Sequence, residues 1–254
     1  MQILKLAKKY LINSQIYVSL MGTLLAVFFM LQQNIVKAPT IALIFITFLS
    51  GYLYTKFQMN RRLLWKIIAF NVLCGLISAV LIIHNHNIER LFRWAVIVLL
   101  GLLYNSFFLD RFIRKIPLLK VFYVGLTWAL INSWLILPEF DAAVFTISLL
   151  FVTALVLPFD IRDMKVDHVV TFPRLIGVQN TRYLAYVLIF FSLMISAFHL
   201  QTVYAAALFI TAVFTFILIY FAENSNHDSY FSVLVESCSG LPLAVLLLIQ
   251  YIHR

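Results

Sequence analysis

The chain has 254 residues, of which 63% are hydrophobic and 11% are charged, and its mean hydropathy is +0.99. This composition excludes a water-soluble globular protein and indicates an integral membrane protein. The net charge of +9 requires no nucleic-acid partner, because positive-inside topology and attraction to anionic membrane lipid account for it.

Apolar segments recur along the chain at the length that a membrane-spanning helix needs, about 20 residues. They are continuous apolar runs, which favours helices over a β-barrel with shorter strands of alternating polarity. Nine spans are predicted, at roughly 11–31, 40–57, 63–83, 91–109, 117–137, 142–159, 183–200, 202–221 and 230–252. The predicted fold is therefore an all-α polytopic bundle of about nine transmembrane helices, with one domain over residues 1–254.

The distribution of Lys and Arg predicts the orientation of these spans. With the N-terminus in the cytoplasm, all but four of the 19 Lys and Arg residues fall on the cytoplasmic side. The exceptions are Lys37, Arg90, Arg93 and Arg254. We therefore expect a multi-pass protein of the cell membrane (plasma or inner membrane) with a cytoplasmic N-terminus.

Three carboxylates of a chain with only ten Asp and Glu lie close together at the end of the sixth predicted span. If the segment is helical, Asp160, Asp163 and Asp167 fall within about 60° of one face. Arg162 and Lys165 point nearly opposite, so intrahelical pairing is not expected to neutralise the acids. A hard divalent cation such as Mg²⁺ would offset their repulsion.

Two alternatives to a metal site remain open for this acidic run. The first is a solvated acidic helix end. The second is a set of salt bridges to basic residues of another cytoplasmic loop, for which the candidates are Arg111, Arg114 and Lys115.

Several segments together resemble the UbiA superfamily of intramembrane prenyltransferases. The run Asp160-Ile-Arg-Asp-Met-Lys-Val-Asp167 is similar to its second Asp-rich motif, and Thr171-Phe-Pro-Arg-Leu-Ile-Gly177 is similar to the Thr-Leu-Pro-x-x-Leu-Gly stretch that follows it. Leu103-Tyr-Asn-Ser106, the basic loop up to Lys120 and the number of spans also fit. The resemblance covers essentially the whole chain.

The resemblance implies a helical bundle with a lipid-accessible cavity, in which Mg²⁺ bound to Asp-rich motifs holds a prenyl diphosphate. Transfer of the prenyl group to an aromatic or other lipophilic acceptor would follow its ionisation, with the metal offsetting the charge of the leaving diphosphate. Asp160, Asp163 and Asp167 are the expected metal ligands and catalytic residues. The candidate substrate-binding residues are Lys56, Arg61, Arg62, Tyr104, Asn105, Lys115, Lys120, Arg174 and Glu236.

Two of these candidates have specific alternatives. Lys120 either reaches the diphosphate or extends to the membrane interface. Glu236 interrupts an apolar span, where ionisable groups are costly and usually face a cavity, so we expect it to line the same cavity as the acidic run.

The chain departs from the family at the first Asp-rich motif. The corresponding segment, 51–62, contains no carboxylate, and no Asp or Glu precedes Glu89. One hypothesis is that Lys56, Arg61 and Arg62 contact phosphate directly, as Lys and Arg commonly do; the other is that they are ordinary positive-inside residues. The alternative function is a non-catalytic UbiA-like protein that binds an isoprenoid or quinone lipid or acts as a partner subunit.

Overall fold

A computed structural model of the chain describes residues 15–58, 60–84, 88–103, 119–165 and 170–252. These residues form nine helices and no β-strand. The helices are α1 (Ile16–Gln32), α2 (Ala38–Phe57), α3 (Arg61–His84), α4 (Ile88–Leu103), α5 (Leu119–Leu130), α6 (Ala142–Asp163), α7 (Phe172–His199), α8 (Thr202–Tyr220) and α9 (Glu236–Ile252). A π-helical turn, Ile131–Leu135, continues α5, and a second one, Tyr230–Val235, leads into α9.

Six of the described helices are long and apolar enough to cross a membrane. They are Ala38–Phe57, Arg62–His84, Ala142–Asp163, Phe172–His199, Thr202–Tyr220 and Tyr230–Ile252. Large apolar side chains cover their outer surfaces, and Trp65 of α3 is 76% exposed. Because contiguous apolar surface of this kind is stable against lipid and not against water, the prediction of an all-α polytopic membrane protein is confirmed.

Local sequence signals explain where several helices begin. Pro39 lies in the first turn of α2, where a missing N–H costs nothing. At the start of α6, the Asp141 carboxylate accepts hydrogen bonds from the N–H groups of Ala143 and Val144, at 2.9 and 3.0 Å. Helices α2 and α6 end, and α3, α5 and α7 begin, on the same side of the bundle. We call this side the polar end.

Small residues allow the helices of the core to approach closely. A Cβ on Gly22 of α1 would lie 3.0 Å from the rings of Phe48 and Trp128, and one on Gly125 of α5 would collide with the Thr153 hydroxyl of α6. In a membrane, helix association depends on close packing of this type, because lipid is as apolar as the side chains themselves.

Two arginines at the opposite end of the bundle cap the π-helical turn that follows α5. The Arg93 guanidinium donates to the carbonyl oxygens of Trp134, Leu137 and Pro138, at 2.8 to 3.0 Å, and also pairs with Glu89. Arg90 donates to the carbonyl oxygen of Ile136 at 3.3 Å. Buried carbonyls at a helix end need donors, so these two arginines have a structural role on the side where the sequence predicts few cations.

The largest difference from the predicted spans is at α6 and α7. The sixth helix continues through Asp163 instead of ending at residue 159, and the seventh begins at Phe172 instead of residue 183. Gly177 interrupts α7 with φ 82° and ψ 160°, a conformation that favours glycine. Hydropathy could not locate this first part of α7, because it is a polar, kinked segment outside the long apolar run.

Candidate functional site

A cleft of about 500 Å³ lies between α2, α3, α4 and α5, in the half of the bundle nearer the polar end. Val72 of α3 and Leu102 of α4 line it and are 58% and 42% exposed, so the cleft opens sideways between these helices. Its other walls include Phe48, Tyr52, Trp94, Tyr123 and Trp128. A cleft of this size and composition is suited to an apolar ligand that enters from the lipid.

Four aromatic residues of the cleft have their polar tips paired within the protein. The Trp94 Nε1–H donates to Thr47 Oγ1 and the Trp128 Nε1–H donates to the Tyr52 hydroxyl, both at 3.0 Å. The Tyr123 hydroxyl donates to the carbonyl oxygen of Leu100. These bonds fix the ring orientations, and the rings present mainly apolar surface to a ligand.

Lys120 connects the cleft to the acidic run of the sequence. It precedes Tyr123 and Val124 by three and four positions on α5, which places it on the same helix face, one turn nearer the polar end. Its Nζ lies 3.9 Å from Oδ1 of Asp160, whose residue is only 2% exposed. The α5–α6 packing therefore places an ion pair next to the cleft.

Arg162 occupies the centre of a second group of charges, at the end of α6. Its Nε and Nη2 donate to the two carboxylate oxygens of Asp163, at 2.7 and 2.9 Å. Its guanidinium lies 5.2 Å from the ring centre of Phe159 and 5.6 Å from that of Phe231. These contacts hold the planar group by cation–π attraction and a forked ion pair.

The prediction that Arg162 points away from the carboxylates was therefore wrong. An ideal helix places Arg162 far from Asp163 around the axis, but a long arginine side chain at a helix end can turn back to its neighbour. Arg162 also interacts electrostatically with Asp228 and with Glu236, the half-buried first residue of α9. The sequence analysis did not select Arg162 or Asp228 as functional residues. The signal available was the excess of Asp and Glu over Lys and Arg in the two segments that contain them.

The described part of the α6 helix ends at Asp163, so only Asp160 and Asp163 of the three predicted carboxylates can be placed on one helical face. Arg174 Nε donates to the carbonyl oxygen of Met164 at 2.6 Å, and Asn224 Nδ2 donates to those of Ile161 and Arg162, at 3.2 and 2.8 Å. These donors satisfy the carbonyls that a helix leaves open at its end. Asp167 lies outside the described residues, so its place on the same face stays a prediction.

None of the remaining predicted substrate-binding residues that the structure describes lines the cleft. Lys56 and Arg62 are exposed at the polar end and do not line the cleft; the Lys56 Nζ lies 5.6 Å from the centre of the Phe57 ring. The structure does not describe the side chain of Arg61 or any part of Tyr104, Asn105 and Lys115. Glu236 is near Arg162 and does not line the cleft.

The carboxylates of α6 have the chemistry that Mg²⁺ prefers. Within the described ranges, no three His, Cys, Asp or Glu side chains form a metal-binding group. Mg²⁺ needs fewer, since it is often held by one or two carboxylates while substrate phosphates supply further oxygens. Asp160 and Asp163 are one helical turn apart and fit this requirement. To bind the metal, Asp163 would exchange its ion pair with Arg162 for a metal–oxygen bond.

No protein-family model matches the chain, and no curated protein matches it. Among solved structures, the chain is similar to one described as digeranylgeranylglyceryl phosphate synthase in membranes. The TM-score is 0.59, and the match covers 98% of each chain at 15% sequence identity. The two proteins share a fold over nearly their whole length.

Proposed function

We propose that this protein is a UbiA-like prenyltransferase of the cell membrane, which transfers a prenyl group from a prenyl diphosphate to a lipophilic acceptor. The observation that carries the proposal is the Lys120–Asp160 pair at the end of an apolar, laterally open cleft. A charged group beside an apolar cavity suits a substrate with an anionic head and a hydrocarbon chain. The shared fold supports the proposal, because the similar protein is named for a product that carries geranylgeranyl groups.

In this proposal Lys120 and Arg162 bind the diphosphate. Lys120 has a 40% exposed side chain, so its ammonium group is accessible from the polar end while it remains close to Asp160. Arg162 presents a planar guanidinium that matches phosphate oxygens, and it is held in place by two aromatic rings. Both cations would interact more strongly with the departing diphosphate than with the intact ester, because negative charge on the leaving group increases as the bond breaks.

The reaction would begin with heterolytic cleavage of the bond between the prenyl C1 and the diphosphate oxygen, which keeps the electron pair. The acceptor then forms a bond to C1 and loses one proton, so the products are prenylated acceptor, diphosphate and H⁺. Asp160 pairs with Lys120 and Asp163 pairs with Arg162, so in this proposal both carboxylates lie beside the head group. Mg²⁺ held by these carboxylates would supply additional positive charge against the diphosphate.

A second candidate function is binding without turnover. Two observations favour it: the segment 51–62 has no carboxylate, and Asp163 already forms a two-point ion pair with Arg162. A protein of this kind would bind an isoprenoid or quinone lipid, or assemble with a partner, and would leave the prenyl diphosphate intact.

Release of diphosphate distinguishes the two candidates. Purified protein in lipid nanodiscs is incubated with radiolabelled prenyl diphosphates, Mg²⁺ and aromatic acceptors. We expect release by the wild type, loss of release in Asp163→Asn, and normal release in the control Glu139→Gln, which removes an exposed carboxylate at the opposite end. Saturable donor binding without release, in protein that is correctly inserted, would favour the second candidate.

A further inference from the structure

The π-helical turn Tyr230–Val235, which leads into α9, determines the direction of Glu236. The N–H of Glu236 donates to the carbonyl oxygen of Phe231, which is the bond over five residues that defines a π-helix. This bond closes one turn, so Glu236 follows Phe231 on the same side of the segment. In an α-helix, residues five positions apart point about 140° away from each other. The π-helical turn therefore brings Phe231 and Glu236 onto one face.

Arg162 of α6 contacts this face. Its guanidinium lies 5.6 Å from the centre of the Phe231 ring, and it interacts electrostatically with Glu236. Among the described residues, however, its direct ion pair is the one with Asp163, at 2.7 Å. Glu236 is thus close enough to attract Arg162 without being paired to it. Because an ionisable group in a membrane-spanning segment is costly and usually functional, this position needs an explanation.

The guanidinium of Arg162 has donors for a second carboxylate. It carries five N–H groups, and the forked pair with Asp163 uses only Nε and Nη2. Two carboxylates are near enough to attract the remaining donors, Asp228 and Glu236. Asp228 is exposed, where an ion pair gains little, whereas Glu236 is half-buried. Glu236 is therefore the better second partner for Arg162.

We propose that Glu236 is a positioning residue, which takes over the ion pair of Arg162 when Asp163 binds a divalent metal ion. This inference rests on the proposed function, in which Asp163 is a metal ligand and Arg162 binds the diphosphate. Arg162 blocks Asp163 in the structure, and its transfer to Glu236 frees the carboxylate. Without Glu236, the partly buried guanidinium would lose its partner when Asp163 binds the metal, and this cost would weaken metal binding.

The test measures binding of the metal alone, without any prenyl diphosphate. Mn²⁺ is the probe, because it shares the preference of Mg²⁺ for carboxylate oxygens and its free form is counted by electron paramagnetic resonance. The protein is held in nanodiscs of uncharged lipid, with empty nanodiscs subtracted. We expect Glu236→Gln to weaken Mn²⁺ binding about tenfold. The matched control is Glu223→Gln, which removes an exposed carboxylate between α8 and the π-helical turn and should leave the affinity unchanged.

A double-mutant cycle tests whether Glu236 acts through Arg162. Arg162→Gln should bind Mn²⁺ at least as tightly as the wild type, because no cation then competes for Asp163. In this background, Glu236→Gln should change the affinity by less than about twofold, since there is no guanidinium left to hold. The cycle is repeated with Arg162→Met, so that the result does not depend on the folding of a single variant.

Three results would overturn the proposal: no Mn²⁺ binding by the wild type, no effect of Glu236→Gln, or an equal effect of Glu236→Gln with and without Arg162. The last result would show that Glu236 binds the metal itself or acts by its charge alone. Diphosphate release is measured in the same preparations with Mg²⁺. If the coupling is present but no donor releases diphosphate, the exchange of ion pairs stands and the prenyltransferase proposal fails. Release without the coupling would have the opposite meaning.

Discussion

The Nζ of Lys120 lies 3.9 Å from Oδ1 of Asp160, across the packed pair of helices α5 and α6. The carboxylate is nearly inaccessible, while the lysine side chain is 40% exposed. This pair joins the acidic run to the helix face that lines the cleft. It is therefore the position at which a change of charge should affect substrate binding most directly.

Replacement of Lys120 by Met should weaken donor binding. The variant keeps most of the side-chain length and removes the positive charge beside Asp160, so we expect the Kd for a prenyl diphosphate to rise about tenfold, or about 1.4 kcal/mol. Lys66→Met is the matched control, since it removes an exposed charge from α3 near the same end. Equal Kd values for the two variants, measured by equilibrium binding in nanodiscs, would contradict the role of Lys120.

The ion pair of Arg162 with Asp163 should be measurable as a coupling energy. We expect Arg162→Gln and Asp163→Asn each to lower the free energy of unfolding, and the double variant to lose less than their sum, with a coupling of about 1 kcal/mol. The measurement is denaturant unfolding in mixed micelles, arranged as a double-mutant cycle. The same cycle with Lys165→Gln in place of Arg162→Gln is the control, because Lys165 is exposed, and it should show no coupling.

Arg162→Lys provides a separate test of geometry. Lysine keeps the charge but cannot make the forked contact or present a planar group to the rings of Phe159 and Phe231. We expect turnover to fall by at least tenfold in this variant. A fully active Arg162→Lys enzyme would show that charge alone is sufficient at this position.

Removal of divalent metal should stop diphosphate release. The diphosphate head group and the carboxylates Asp160 and Asp163 repel one another unless a cation lies between them. We expect excess EDTA to abolish release and added Mg²⁺ to restore it. Release that continues in EDTA would show that the cations of the chain suffice.

Arg93 should be important for stability and not for chemistry. Arg93→Leu leaves three carbonyl oxygens at the end of α5 without this donor, so we expect a loss of about 3 kcal/mol in the free energy of unfolding. The control is Lys37→Leu, which removes an exposed cation from the same end of the bundle. Turnover per folded molecule should be unchanged in both variants, and a selective loss of turnover in Arg93→Leu would contradict a purely structural role.

The sequence alone was sufficient to predict the membrane-embedded, all-helical fold. It also singled out the acidic run at residues 160–167, whose role as a metal site stays a prediction. Both depend on local properties: the length of apolar segments, the distribution of Lys and Arg, and the spacing of carboxylates. The helix end at Asp163 was less predictable, because it depends on carbonyl caps from Arg174 and Asn224, which are distant in sequence.

Only the tertiary structure decided which charges meet and where a ligand fits. Asp160 lies beside Lys120 because α5 and α6 pack side by side. The loop cations considered from sequence lie outside the described residues. The cleft between α2, α3, α4 and α5 leaves no trace in hydropathy or spacing. It arises from the relative positions of four helices, and helix packing is set by contacts among residues far apart in the chain.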